Sequence, residues 1–583
     1  MAVRAPARSR LTIPDRHYRW VALSNTTLGI LMASLNGTII LISLPAIFRG
    51  IHVDPLVPAE TSVFLWLIMG YMVVTATLVV TAGRLSDMYG RVRLYNAGFA
   101  VFSVGSVLLF LTPGTGNQAA IEMIAFRVVQ AVGGAFLFAN SAAILTDAFP
   151  ADRRGLALGL NQIAAIAGSL IGLIVGGVLS SVDYHLVFLV SVPFGILGTV
   201  WAYLALRETA TIVHGQRVDW VGNLTFAAGL ILLLVGVTYA LLPYGGSAMG
   251  WGNPMVLAML SSGVALLVLF LVVEARVADP MFQLSLFRVR AFAAANLAGL
   301  LASVGRGGLQ FMLIIWLQGI WLPLHGYSYT ETPLWSGLYL APMMIGFVLL
   351  GPVSGFLSDR FGARSFATGG MLLTVVAFVL LIALPSNFGY PAFAAVLLLM
   401  GVGMGLFAAP NTTAIMNAVP ARHRGVASGM RSTFQNAGML VSMGIFFTIV
   451  ISGLASALPA SLLTGLTHAG LPTAAARSVS HLPPTAALFS AFLGYNPMAH
   501  LIPASVLQHL PAAARGSLLG ERFFPHLITA AFMRGLHLAF LAAAALSLVA
   551  ALASLLRGGR YLSERELPSV AAGVVRSGAG PSG

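Results

Sequence analysis

The sequence has no cysteine and no lysine, and only 8% of its 583 residues are charged. The first absence excludes disulfides, thiolate nucleophiles and thiolate metal sites. The shortage of charge excludes an ordinary soluble domain, in which about a quarter of the residues are charged. The seventeen acids form no pair suited to acid–base catalysis, and the twelve histidines show no metal-ligand spacing of the HExxH kind. No nucleophile–base constellation stands out. An enzyme, a metal site and a bound cofactor are therefore not expected. What the chain has in abundance is apolar side chains, 58% of the total, which need lipid as their solvent. The expected class is an all-α polytopic membrane protein.

Fourteen runs reach the roughly 20 mostly apolar residues of a full crossing. They are 20–45, 62–83, 94–112, 120–146, 156–181, 186–206, 220–243, 254–273, 291–320, 334–357, 366–384, 391–416, 425–453 and 533–557. The first is too long for the apolar core of a secretory signal and reads as a retained span. An even number of spans puts both termini on one side. Of the 31 arginines, 24 fall on that side, Arg431 and Arg557 among them. Four fall on the other side, and Arg127, Arg306 and Arg534 lie within spans. Arginine marks the inside, so both termini are expected in the cytoplasm. The net charge of +14 is then a mark of topology and calls for no nucleic-acid partner.

The chain repeats itself. "GRLSDMYGRVR" (83–93) recurs as "GFLSDRFGARS" (355–365), and "PADRRGLALG" (150–159) as "PARHRGVASG" (420–429), at offsets of 272 and 270. Duplicated halves around a central path are the mark of alternating-access transporters. The expected division is a cytoplasmic arm 1–19, a first six-helix half 20–206, and a linker 207–290 carrying two inserted spans. A second six-helix half 291–557 and a cytoplasmic tail 558–583 follow. The second half includes an extracytoplasmic segment 454–532 with eight prolines and five histidines, read as a partly ordered cap, a gate, or a surface for lipid or a partner.

These motifs, in this order, resemble the major facilitator superfamily, and within it the fourteen-span drug:proton antiporter branch of Emr- and Qac-type exporters. Gly83, Asp87, Gly90, Arg91 and Arg93 match the loop signature after span 2, with Asp359 and Arg360 as a weaker counterpart in the second half. "RVVQAVGGA" (127–135) matches the span 4 signature. "GSLIGLIVGG" (168–177) matches the antiporter signature of span 5 through Gly168, Gly172, Gly176 and Gly177, although Leu173 stands where the family has proline. Trp66 and Tyr71 match a span 2 pair. "NGTIILISLP" matches the span 1 signature, except that Asn36 stands where the family usually carries aspartate. The resemblance implies the major facilitator fold in the plasma membrane and export of amphipathic drugs or lipophilic metabolites, coupled to protons. It also implies a cytoplasmic charge latch at the loop motif and a hinge or seal at the span 5 glycines.

The residues themselves nominate the rest. Asn25, Met32, Asn36 and Ser43 share one face of span 1 at 3.6 residues per turn, a candidate cavity wall. Trp66, Tyr71, Gln130, Gln318 and Gln435 would add aromatic and amide contacts. A guanidinium inside a span is costly and by default functional, which singles out Arg127 and, less strongly, Arg306; His537 could titrate near neutral pH. All seventeen acids fall in loops, tails or span ends. Glu122, five residues before Arg127, is the nearest to a membrane path and the candidate proton carrier. Expected partners are a small amphipathic or lipid-like substrate and membrane lipids, with the protein acting as a monomer. Two other readings fit the same fold: a lipid or glycolipid exporter without proton antiport, and a non-transporting receptor or scaffold.

Overall fold

The structure, a computed structural model, describes all residues except 1–12, 54–57, 151–152, 209–218, 278–279, 281, 421–423, 495 and 559–583. Most of the expected arm and tail, part of the linker, and the side chain of Asp359 lie outside the described residues.

Among the described residues, fourteen helices are long and apolar enough to cross a membrane. In chain order, spans 1 to 14 are Arg16–Ile51, Met69–Tyr89, Arg91–Phe110, Gly116–Ala148, Leu156–Val182, Leu186–Ala205, Val221–Ala240, Pro254–Glu274, Arg290–Leu324, Thr332–Ser358, Ala363–Ala383, Tyr390–Asn417, Val426–His468 and Phe523–Leu555. Helix is the form in which an apolar run can satisfy its own backbone in lipid. The turns at the repeated loop motif need glycine: Gly90 and Gly362 take φ of 107° and 93°, where a side chain would be strained.

The halves repeat one another in their contacts. Span 1 packs on span 5, span 2 on span 4, and span 3 on spans 4 and 6. Span 9 packs in the same way on span 13, span 10 on span 12, and span 11 on spans 12 and 14. The halves meet where spans 2 and 4 touch span 13, and where span 5 touches spans 10 and 12. Spans 7 and 8 pair with each other, and span 7 leans on span 2. There Thr81 hydrogen-bonds to Asn223, and Thr238 donates to Met69 Sδ at 3.0 Å.

The segment expected as a long cap from 454 to 532 is shorter and more regular. Span 13 continues as one helix to His468, with Pro459 inside it, and span 14 begins at Phe523. Five short helices lie between them, and Pro472, Pro483, Pro497, Pro503 and Pro511 each stand immediately before one. The prolines that read as loop in the sequence act as helix starters, because their fixed φ suits the entry to a helix. The second short helix, Pro484–Phe492, is buried from Thr485 onward and packs on spans 9, 13 and 14. Against it, span 9 loosens into a π-helical stretch, Trp316–Trp321.

Candidate functional site

A cavity of about 250 Å³ lies between the halves. A smaller one of about 70 Å³ adjoins it in the second half. The two share Gln162, Arg306, Leu309, Met404, Arg431 and Gln435 in their walls. The lining follows the sequence repeat position by position. Tyr71, Met72 and Thr75 of span 2 correspond, at the offset of 272, to Met343, Met344 and Phe347 of span 10. Asn161, Gln162, Ala165, Ile166 and Ser169 of span 5 correspond, at 270, to Arg431, Ser432, Gln435, Asn436 and Met439 of span 13.

The chemistry of the two walls differs. The first half contributes hydroxyls and amides: Ser34, Thr38, Thr75, Ser141, Asn161 and Gln162. The second contributes Phe311, Met343, Met344, Phe347, Met404 and Met439, with Gln310, Ser432, Gln435 and Asn436, and it alone adds charge, through Arg306 and Arg431. Arg431 Nη1 donates to Gln435 Oε1 at 3.2 Å. Among the described residues, no carboxylate lines either chamber.

Three of the residues nominated from sequence stand on this wall: Tyr71, Arg306 and Gln435. The nominated face of span 1 does not. Ile30, Ala33, Ser34, Gly37, Thr38 and Leu41 face the cavity instead, while the polar face turns into its own half. Asn25 Nδ2 donates to the Gly198 carbonyl of span 6 at 3.2 Å, Ser43 Oγ to the Gly176 carbonyl of span 5 at 3.1 Å, and Met32 is fully buried. A polar residue in a span needs a partner, and neighbouring helices supply one as well as a cavity does. Trp66, Gln318 and His537 are also off the wall; Gln318 is buried in the π-helical stretch.

Asn36 belongs to a network behind the wall. Arg127 Nη1 donates to Asn36 Oδ1 at 2.5 Å and to Gln130 Oε1 at 2.8 Å. Gln130 Nε2 donates to Ser106 Oγ at 2.8 Å. The guanidinium also lies 4.6 Å from the centre of the Tyr71 ring, and Tyr71 itself faces the cavity. The amide oxygens and the ring offset the desolvation of a buried cation. Glu122 takes no part in this. At 100° per residue, five residues separate it from Arg127 by about 140° around the helix. It accepts from Gln118 at 3.0 Å in the first turns of span 4 and reaches neither chamber.

At the arginine-rich end, the latch residues form a junction inside the first half. Arg91 donates from Nε to Asp87 Oδ1 at 2.8 Å and from Nη1 to Asp147 Oδ2 at 2.5 Å. Glu208, just beyond span 6, accepts from the backbone amides of Arg91 and Val92, both at 3.0 Å. It thereby caps span 3 at the positive end of its dipole. A Cβ at Gly90 would lie 2.6 Å from Glu208 Oε2, a second reason for glycine there; one at Gly83 would only just touch Ala139. Arg93 and Arg360 are exposed. Gly168, Gly172 and Gly176 press against the backbone of span 1 around Leu31, Leu35 and Ile39, within the same half. Of the four glycines, Gly177 is the one that meets the other half, where a Cβ would lie 2.9 Å from Leu334 Cα.

Sequence reasoning missed Arg431, Asn161, Asp147 and Glu208. Arg431 was assigned to a cytoplasmic loop end, yet it stands a turn and more inside a helix that begins at Arg424. Arg557, also assigned to the cytoplasm, is buried and donates to Asn411 at the edge of the smaller chamber. The repeat held the signal for the first two, since Asn161 and Arg431 occupy corresponding positions.

The model of the Major Facilitator Superfamily matches residues 26–218 and 210–443. The chain belongs to that superfamily. It is 27% identical to the tetracenomycin C resistance and export protein of Streptomyces glaucescens, over 92% of this chain and 91% of the relative. It is 28% identical to multidrug resistance protein 3 of Bacillus subtilis, over 72% and 78%. It is 25% identical to the riboflavin transporter RibZ of Clostridioides difficile, over 73% and 87%. Among solved structures, the proton:xylose symporter XylE shares the fold, with a TM-score of 0.53 at 14% identity, over 84% of this chain and 97% of that one. The chain is thus a multi-pass membrane transporter with drug-exporter relatives, and not an enzyme.

Proposed function

We propose that the protein exports amphipathic small molecules from the cell by alternating access of its central cavity. The observation that carries this reading is the cavity itself. It lies between two halves that repeat each other's contacts, and its lining obeys the same repeat. A mostly apolar chamber with a few polar groups suits an apolar body with one or two anchoring atoms. Halves built alike can exchange roles by rocking about the site between them. The relatives named for tetracenomycin C export and multidrug resistance support drug-like cargo. The arginine-rich end would face the cytoplasm across the plasma or inner membrane, and the short helices between spans 13 and 14 would cap the outer end.

Proton antiport, the energy source implied by the resemblance, would have to run through groups off the cavity wall, because no carboxylate among the described residues lines it. The test is extrusion of fluorescent amphiphiles into inverted vesicles, with and without an imposed proton gradient. Gradient-dependent accumulation supports antiport. Movement indifferent to the gradient marks a facilitator. If no dye in a broad panel moves, the transport reading fails.

A further inference from the structure

The two arginines of the cavity wall have no counter-charge there. Arg306 comes from span 9 and Arg431 from span 13, helices that pack closely: a Cβ at Gly307 would lie 2.7 Å from the Met439 carbonyl oxygen. Both side chains line both chambers, and among the described residues neither chamber has a carboxylate in its wall. At the offset of 269 that pairs "LMASLNG" (31–37) with "LLASVGR" (300–306), Arg306 corresponds to Gly37, and Arg431 corresponds to Asn161; both counterparts are neutral and also line the cavity. Symmetry therefore did not place the charge; it is added on one side only. In the residues around it, the donors Arg431 Nε, Asn161 Nδ2 and Gln310 Nε2 are buried with no hydrogen-bond partner, as are the hydroxyls of Tyr71 and Thr75, which can donate as well as accept. Two cations beside unanswered donors call for an acceptor from outside. Beside them stand Phe311, Phe347, Met343 and Met439, polarisable surfaces suited to a flat ring.

We propose that this cavity selects aromatic organic anions: a carboxylate, sulfonate or phenolate held by Arg306 and Arg431, with the ring system on the Met and Phe wall. This inference rests on the transport reading above for its biological meaning, but it makes its own claim about binding. A guanidinium forms short, charge-assisted bonds to such groups, and each strengthens as the bound ring system displaces water from the apolar wall.

The test uses two dyes with a common xanthene body and opposite charge, carboxyfluorescein and a cationic rhodamine. Binding to the purified full chain is read by fluorescence polarisation, and extrusion is read in inverted vesicles. The wild type is expected to bind carboxyfluorescein at least about tenfold more tightly than rhodamine. Arg306→Gln and Arg431→Gln should each shrink that ratio by about tenfold. Asn161→Asp, which adds a carboxylate to the cavity that Arg431 lines, should shrink it too, and it decides the matter alone if neither Gln variant runs as a monodisperse protein. Equal or tighter rhodamine binding, a ratio that survives the substitutions, or no carboxyfluorescein binding at all overturns the proposal. The two readings fail separately. Charge-selective binding without extrusion of either dye sinks transport and keeps the anion site; extrusion without charge preference does the reverse.

Discussion

In the first half, the deeply placed Arg127 is turned away from the cavity and held by Asn36, Gln130 and the Tyr71 ring. In the second half, Arg306 and Arg431 stand on the cavity wall. At the offsets of the repeat, the network of the first half corresponds to Gly305, Leu397 and Met400, and the cavity arginines correspond to Gly37 and Asn161. One duplicated scaffold has thus given its buried charge two different tasks. In the first half a cation is bonded into the bundle; in the second it lines the cavity. An arginine in a span is expensive in either place, so its cost alone does not say which task it has. Its partners do.

The sharpest way to break this comparison is at Asn36. Asn36→Leu removes an acceptor from a buried guanidinium and is predicted to cost about 2–3 kcal/mol, read as a lower unfolding temperature of the purified protein. Asn36→Asp should act in the opposite sense, since a carboxylate would pair with Arg127 and remove the unpartnered Nδ2. A leucine variant as stable as the wild type would show that the network carries no weight.

Next in size is the seam between spans 1 and 5. Gly168→Val forces a side chain against the Leu31 backbone and is predicted to cost about 1–3 kcal/mol. The prediction fails if Gly168→Val unfolds no earlier than a substitution at the open Gly369, where a Cβ meets nothing.

The junction at the arginine-rich end should matter less. Asp147→Asn weakens one half of the Arg91 clasp, by about 1 kcal/mol for a partly exposed pair. Glu208 adds a pH signature. Burial raises its carboxyl above the ordinary range, against the lowering effect of the amides it caps. A raised folded-state value means that the bound proton favours the folded form. The stability it contributes is present below the ordinary carboxylate pKa and is lost as pH rises through the raised value. Glu208→Gln should therefore flatten the fall in unfolding temperature over that window, and an unchanged slope would show that another group titrates there.

The smallest effect belongs to Glu122→Gln. The residue accepts from Gln118 in the first turns of span 4 and reaches no cavity, so transport rate and its pH profile should stay within error of the wild type. A collapse of gradient-driven flux would return Glu122 to the coupling path.

These contrasts also explain what the sequence could and could not disclose. Apolar runs and a repeated loop motif are properties of residues along the chain, so the fourteen spans were legible. The facing of each span was not. Asn25, Asn36 and Ser43 do share a face, but periodicity cannot tell whether a cavity or a neighbouring helix satisfies that face. Arg431 was hidden for a related reason. It lies near the start of the apolar run, where arginine normally marks the interface, yet it stands about two turns inside a helix that begins at Arg424. Apolar continuity past residue 453, with Pro459 inside it, likewise concealed that span 13 runs on to His468.

The short helix Pro484–Phe492 rests on spans 9, 13 and 14, all of one half. In any rocking motion it rides as cargo of that half, like a keystone cemented to a single abutment. A passage at this end would then open along the seam where Gly177 meets Leu334, beside the keystone and not through it. Locking that seam should freeze the gate while leaving the keystone's own packing undisturbed.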